Sequence, residues 1–175
     1  MTPSLYQQVL GDDFAKLAPR LQQLHSGETS TWSGLADVEW GESRWLRGLL
    51  HAAVMLRQLP PAGSQQACQI TLTRHAQKER WQRRFGRTPM VSKQFQRNSE
   101  LIEAMGPLHI RLENSVENGN LQQRSSRISW LGIPMPLRVL ASETSDGDAM
   151  QFDVAIRFAS GALLLRYHGQ LRKNP

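Results

Sequence analysis

The length, composition and charge of this chain are those of an ordinary globular protein. Its 175 residues suffice for one domain with a core of its own and are few for two. Apolar residues make up 39% and charged residues 21%, which excludes a disordered or fibrous chain. The formal net charge is +6, and arginine supplies most of it because only Lys16, Lys78, Lys93 and Lys173 are lysines. An arginine-rich surface attracts carboxylates, phosphates, anionic lipid or nucleic acid, although it is also common on proteins that bind none of these.

The single cysteine, Cys68, excludes a disulfide bond within the chain and leaves no thiolate pair for a metal site. A reducing compartment suits such a chain. The N-terminal residues do not combine a basic region with an apolar run, and no stretch reaches the roughly 18 consecutive apolar residues that span a bilayer. We therefore expect a cytoplasmic protein without a membrane span.

The N-terminal residues predict two short helices. Ser4 is suited to cap a helix that Gly11 ends. Asp12 or Asp13 is suited to cap a second helix that continues toward Leu24, although Pro19 must interrupt this helix or restart it as a first-turn proline. Together the two helices are expected to form a small lid or clasp.

A strand and a longer helix are predicted next. Apolar residues at alternate positions from Thr31 to Trp40 predict the strand. From Ser43 to Leu59 the apolar residues instead recur at helical spacing, which predicts the main amphipathic helix of the chain, ended by Pro60. A helix this apolar has to pack on something, and we expect it to pack on the sheet that follows.

The last hundred residues alternate apolar and polar side chains, which is the period of strands with one buried face. The clearest case is the segment from Met150 to Phe158. Short connections between the predicted strands favour antiparallel pairing of neighbours. These strands are Cys68 to His75, Glu79 to Arg87, Val91 to Arg97, Leu108 to Ser115, Leu121 to Trp130, Leu137 to Glu143, Met150 to Ala159 and Leu163 to Leu171.

These elements predict an α+β fold in which a strongly curved, barrel-like antiparallel sheet of about eight strands packs on one main amphipathic helix, with short N-terminal helices. We expect a single domain over residues 1–175, with a mainly helical N-terminal part over 1–60 and the antiparallel sheet over 67–172. A twisted sheet of this many strands tends to curl or close, which creates an interior. Calycin-like and helix-grip folds both fit this order of elements, and neither determines a function.

The densest cluster of candidate functional residues lies between Glu79 and Arg87. In an extended strand, Glu79, Trp81, Arg83 and Phe85 share one face. One interpretation is a cavity wall in which Arg83, held by Glu79 or another acid, binds an anionic group of a ligand. The alternative is a barrel wall in which the aromatic residues pack and Glu79 pairs with Arg83 at the rim. Stacking of nucleic-acid bases on Trp81 is a third interpretation, but no RNA-binding signature is present, so nucleic acid is not the expected partner.

Aromatic side chains on the predicted strands are the candidate walls of such a cavity. Asp153 and His168, together with Glu143, are candidates for acid or base chemistry if they converge on a pocket, although a solvated strand face explains Asp153 equally well. The histidines lack the spacing of metal ligands, so no metal site is expected. The candidate ligand-binding residues are Trp81, Arg83, Phe85, Trp130, Phe152 and Tyr167.

Five segments in a fixed order carry a resemblance to a known family. They are Leu5-Tyr6-Gln7-Gln8-Val9-Leu10-Gly11, Glu79-Arg80-Trp81-Gln82-Arg83-Arg84-Phe85-Gly86, Leu101-Ile102-Glu103-Ala104-Met105-Gly106-Pro107-Leu108, Leu131-Gly132-Ile133-Pro134-Met135-Pro136 and Tyr167-His168-Gly169-Gln170-Leu171. These segments resemble the bacterial domain of unknown function 4166 family over nearly the whole chain.

The resemblance implies no catalytic residues, because the family has no established activity. Members also occur fused to a domain assigned as a nicotinamide-dependent oxidoreductase, which implies metabolic work and an oxidoreductase partner. This chain has no glycine-rich strand-to-helix phosphate loop, so we expect no cofactor.

We predict a small-molecule binding domain, non-catalytic or weakly catalytic, for an amphipathic or apolar ligand with an anionic group. One alternative is an enzyme or accessory domain working with a separate oxidoreductase. The other is a basic interaction module for nucleic acid or an acidic protein.

Overall fold

Ten long strands close into an antiparallel barrel in the computed structural model, which describes residues 3–26, 29–75 and 77–174. The strands are β1 (Thr29–Trp40), β2 (Gly63–His75), β3 (Lys78–Phe85), β4 (Thr88–Arg97), β5 (Glu100–Met105), β6 (Leu108–Glu117), β7 (Asn120–Trp130), β9 (Leu137–Asp146), β10 (Ala149–Phe158) and β11 (Leu163–Lys173), with a two-residue strand β8 (Ile133–Pro134) folded back on β7. The long strands pair with their neighbours in chain order, and β1 pairs with β11 to complete the ring. The predicted curved antiparallel sheet is confirmed.

The N-terminal segment covers one end of the barrel. The hydroxyl group of Ser4 accepts a hydrogen bond from the amide of Gln7, whose side chain in turn accepts one from the amide of Ser4, so the first helix begins in a capping box. The amide of Ala18 donates to the carbonyl of Gly119 in the β6–β7 turn, which places the segment at the end where β1 begins. We call residues 3–26 the lid and this end the lid end. The lid consists of α1 (Leu5–Leu10), a 3-10 helix (Gly11–Lys16) and α2 (Pro19–Ser26), as the restart at the proline predicted.

The third helix, α3 (Arg44–Met55), connects β1 to β2 at the opposite end, which we call the basal end. Its expected packing against the sheet is found only in part, because Leu46 and Leu50 are buried while Leu49 is 61% exposed. The barrel closes on itself and the lid fills one mouth, so the sheet needs no helix as a second layer. No helix in the described ranges has the length and apolar character to cross a membrane.

The barrel has more strands than the roughly eight expected. The strand absent from the prediction is β5 (Glu100–Met105), in which Leu101, Ile102 and Glu103 are all buried. Because three successive residues of β5 are buried, its sequence does not alternate between apolar and polar residues. The two-residue period that predicted the other strands is therefore absent there. In addition, β1 lies between β2 and β11, so residues 29–40 belong to the barrel although they fall in the part expected to be mainly helical.

Candidate functional site

The interior of the barrel contains polar as well as apolar side chains. On β3 the side chains alternate as predicted: Glu79, Trp81 and Phe85 are buried, Arg83 is half-buried, and the residues between them are exposed. Neighbouring strands contribute further polar groups. Because buried polar groups require hydrogen-bond partners, these partners decide what the interior can bind. The buried polar residues from β4, β5, β7 and β9 are Ser92, Gln94, Glu103, Gln123 and Glu143.

Arg83 is the cation of this interior. Its Nη1 donates to Oε1 of Glu103 and to Oγ of Ser92, each at 2.8 Å, and its guanidinium lies 4.8 Å from the centre of the Trp81 ring. Burial alone would raise the pKa of the Glu103 carboxyl, but the charge of Arg83 together with hydrogen bonds from Arg83, Ser92 and Gln94 outweighs burial and holds that pKa below its ordinary value. Burial likewise opposes the charge of Arg83, yet Glu103 raises its pKa. Both partners are therefore charged at neutral pH.

Two side chains of the lid extend into the same interior. His25 donates from Nε2 to Oε2 of Glu143 at 2.7 Å, and its ring stacks on that of Tyr6 with the centres 3.8 Å apart. Tyr6 donates from Oη to Oε1 of Gln94 at 3.0 Å, and Gln94 donates to Oε2 of Glu103 at 3.2 Å. A continuous chain of hydrogen bonds therefore joins the lid to the buried ion pair.

Glu79 is the second buried carboxyl group near the lid. Its Oε1 accepts a hydrogen bond of 3.4 Å from Arg74, which also donates to the backbone carbonyls of His25 and Ser26. Burial raises the pKa of Glu79, and the charges of His25 and Arg74 only partly offset it. Oε2 of Glu79, Nε1 of Trp81 and Nδ1 of His25 are buried without a partner in the described part of the chain. Arg74 thus ties the lid to the wall beside an incompletely bonded carboxyl group.

A cavity of about 70 Å³ lies inside the barrel below the ion pair of Arg83 and Glu103 and is bordered by no residue of the lid. The Tyr167 ring stands edge-on to Phe85 at 5.5 Å between centres and lies 6.1 Å from Phe152. Since pockets for drug-sized molecules measure about 300–1,000 Å³, this cavity holds only a small molecule. Its border includes Trp81, Arg83, Phe85, Glu103, Phe152 and Tyr167.

Five of the six candidate ligand-binding residues line this single cavity. The sixth, Trp130, does not. It is 39% exposed at the basal end of β7, where it pairs with Ile133 of β8. The two-residue period placed it on a strand correctly, since it also pairs with Leu108 of β6, but as the last residue of β7 it lies at the basal rim, away from the cavity.

The three candidates for acid or base chemistry are not brought together. Glu143 is paired with Phe152 in the β9–β10 register and points inward. Asp153 follows Phe152 and therefore points outward, where two hydrogen bonds from Arg166 lower its pKa. His168 is paired with Asp153 across β10 and β11 and shares the outer face. The barrel wall separates Glu143 from the other two.

Sequence reasoning missed the polar residues that complete the interior, Tyr6, His25 and Glu103. A signal existed for His25, because it lies with Leu21 and Leu24 on the buried face of α2 at helical spacing. No comparable signal existed for Glu103, which lies in the strand without alternation.

The fold and the interior define a closed ten-stranded antiparallel barrel with a helical lid and a small cavity bordered by aromatic rings and an ion pair. The chain belongs to the family described as Domain of unknown function (DUF4166), whose profile matches residues 17–171. The family resemblance read from the sequence is therefore confirmed. The matched range begins within the lid, so the segment Leu5 to Gly11 lies outside it.

Solved structures with similar folds have low sequence identity to this chain. Rv2717c from M. tuberculosis is 16% identical, with 91% of this chain and 99% of that chain covered and a TM-score of 0.48. Two secretory abundant heat soluble proteins from Ramazzottius varieornatus are 11% and 14% identical, cover 83% of this chain and 93% and 94% of theirs, and have TM-scores of 0.46 and 0.44. Sequence identities and TM-scores this low give no information about function. No curated protein matches the sequence.

Proposed function

We propose that the barrel binds a small, mostly apolar molecule in its interior and holds an oxygen-bearing group of that molecule, such as a carboxylate, at Arg83. The aromatic rings around the cavity pack against the apolar part. We further propose that the protein acts in the cytoplasm, because Cys68 is a free thiol and free thiols are typical of reducing compartments.

The observation that carries the proposal is the unused donor capacity of Arg83. A guanidinium has five N–H donors. Arg83 uses Nη1 for its bonds to Glu103 and Ser92, and among the described residues its Nε and Nη2 donate to no acceptor. Arginine binds carboxylates through two parallel N–H bonds. A ligand carboxylate would share the guanidinium with Glu103, and a carbonyl oxygen would fit the same donors.

The size of the cavity restricts the ligand. Pockets for drug-sized molecules measure about 300–1,000 Å³, whereas this cavity measures about 70 Å³. A short carboxylate suits a cavity of this size. The cavity is bordered at the basal end by Gln58 and Leu59, which follow α3, and by no residue of the lid, so a longer ligand would have to displace the segment after α3. The dependence of affinity on chain length therefore reports whether that segment moves.

The predicted alternative of an enzyme or accessory domain working with a separate oxidoreductase receives less support from the site. Proton transfer by Glu143 together with Asp153 or His168 is not part of the proposal, because these side chains point to opposite faces of the wall. The separate oxidoreductase partner stays a prediction that rests on the family resemblance.

The test is calorimetric titration of the protein with straight-chain carboxylates from butanoate to dodecanoate. We expect saturable binding of at least one of them, and affinity about tenfold or more lower in the double variant Arg83→Met/Glu103→Gln, because a charge-assisted hydrogen bond contributes about 1.5–3 kcal/mol. Removing both partners together leaves no unpaired buried charge.

Arg84→Met is the matched control, since Arg84 follows Arg83 on the exposed face of β3 and should bind as the parent does. Circular dichroism verifies that each variant is folded. Absence of binding across the whole series, or equal affinities in the parent and the double variant, would contradict the proposal.

A further inference from the structure

Large exposed apolar side chains are concentrated at the basal end. Of the ten in the part of the chain that the structure describes, seven lie there and none lies at the lid end. Met55 is 83% exposed and Leu131 is 67% exposed. The seven residues form two clusters on different sides of the ring, because α3 joins β1 to β2 and the β7–β8 hairpin extends from a strand five places further round. Single exposed apolar residues need no explanation, but clusters of them at one end indicate an interaction surface. The seven are Leu49, Met55 and Leu56 around the C-terminal half of α3, and Trp130, Leu131, Ile133 and Met135 around the β7–β8 hairpin.

The tip of that hairpin shows that the fold alone does not account for these residues. Trp130 pairs with Ile133 across a two-residue loop. The loop residues, Leu131 with φ 50° and Gly132 with φ 82°, both adopt the left-handed conformation. Such loops favour Asn or Gly, and leucine adopts this conformation at a cost. Leu131 therefore combines an unfavourable backbone conformation with an exposed apolar side chain.

Exposed arginine residues lie at the same end as these apolar residues. None of them forms an ion pair within the described residues. The acids at this end are Glu39 and Glu42, and Glu113 lines the same surface groove as Arg127 and Arg138. Seven arginines therefore stand against three acids, whereas the lid end carries Asp12, Asp13 and Asp148 among its basic residues. The seven arginines are Arg47, Arg57, Arg84, Arg87, Arg127, Arg138 and Arg157.

We propose that the basal end is a docking surface for an anionic lipid bilayer, with α3 and the β7–β8 hairpin inserting their apolar side chains among the headgroups and the exposed arginines of that end contacting lipid phosphates. An amphipathic helix with apolar residues on one face and basic residues beside them binds this interface. Basic residues near a membrane surface are attracted to anionic lipid, and tryptophan favours the headgroup region. This inference does not rest on the ligand-binding proposal.

The charged and apolar residues of the basal end favour an anionic bilayer over a second copy of the chain or a nucleic acid. A second copy of the chain docked through the same surface would oppose seven arginines to seven, and the like charges would repel. Nucleic acid would engage the arginines but would leave the apolar tip of the hairpin and the exposed residues of α3 in water. A bilayer with anionic headgroups satisfies the charged and the apolar groups together.

The test is co-sedimentation of the full chain with vesicles of phosphatidylcholine mixed with phosphatidylglycerol, and with vesicles of phosphatidylcholine alone. We expect binding to the anionic vesicles that is at least tenfold stronger and that weakens as salt is raised. The variant Leu131→Asn/Ile133→Thr should bind about tenfold or more weakly while unfolding at the same urea concentration as the parent or higher, because asparagine suits the left-handed position.

Two matched controls separate the basal end from general effects of charge and hydrophobicity. Leu35→Thr removes an apolar side chain that is 48% exposed on the wall of β1, and should leave vesicle binding unchanged. Lys78→Gln/Lys173→Gln removes two charges at the lid end, and should reduce binding much less than Arg127→Gln/Arg138→Gln.

Equal binding to the two kinds of vesicle, no binding to either, or equal losses in the basal variants and their controls would overturn the inference. The variant Arg83→Met/Glu103→Gln should bind vesicles as the parent does. Failure of vesicle docking is therefore distinguishable from failure of ligand binding in the interior.

Discussion

The helices at the two ends of the barrel differ in how much of their apolar surface they bury. The lid places Leu21 in the core and bonds His25 to Glu143 inside the barrel. At the basal end α3 adds Leu46 and Leu50 to the core but leaves Leu49 largely exposed. The lid therefore mainly completes the core, whereas α3 divides its apolar residues between the core and an exposed face, and the predictions below test that contrast.

The largest effect is expected at the buried contact between lid and barrel. Glu143→Ala removes the acceptor of the His25 imidazole and leaves Nε2 buried without a partner, which should lower the free energy of unfolding by about 3–5 kcal/mol. Urea unfolding followed by tryptophan fluorescence measures the loss.

An exposed ion pair between the lid and the turn after β9 provides the control for that change. Arg20 contacts Asp148, whose side chain is 91% exposed, so Asp148→Ala should cost less than about 1 kcal/mol. Losses of similar size in the two variants would show that burial is not what makes the lid contact strong.

The same substitution made at the two ends should give different results. Leu21→Ala opens a cavity beneath the lid, where the side chain is 0% exposed, and should cost about 3 kcal/mol. Leu49→Ala, in α3, should change the free energy of unfolding by less than about 0.5 kcal/mol because its side chain already contacts water. Equal losses of stability in the two variants would show that Leu49 is packed as tightly as Leu21.

The two buried tyrosines should lose their protons at a higher pH than tyrosines in an unfolded chain. The chain has two tyrosines; burial raises the pKa of Tyr167 to about 12 and raises that of Tyr6 well above 10. The unfolded chain releases these protons near pH 10, so the stability that they contribute is present below pH 10 and is lost as the pH rises toward 12. Phenolate absorbance at 295 nm should therefore appear only as the protein unfolds. If it appeared near pH 10 in a protein that is still folded, the two tyrosine side chains would be accessible to solvent.

Much of the barrel could be predicted because its strands alternate. On β3 the prediction that Glu79, Trp81, Arg83 and Phe85 share a face is confirmed, since in an extended chain successive side chains must point to opposite sides. The exception, β5, buries successive residues and could not be recognised by its period. Trp130 shows a different error, in which a residue correctly placed on a strand lies at the basal rim of the wall and not at the cavity.

The partners of the interior groups could not be predicted, because they come from segments far apart in the chain. Arg83 was expected to be held by Glu79 or another acid, and the structure pairs it with Glu103 while Glu79 contacts Arg74. Register and barrel closure decide which residues on neighbouring strands face each other, and neither is encoded in a local pattern.

The local elements of this protein follow from its sequence: the capped first helix, the restart at Pro19, the face that each alternating strand buries, and the excess of arginine. Closure of the sheet, the position of Glu143 on the other side of the wall from Asp153, and the presence of seven exposed arginines at the end that holds most of the exposed apolar residues emerge in the tertiary structure. Backbone geometry and propensity act over a few residues, whereas closure of the ring depends on pairing among strands throughout the chain.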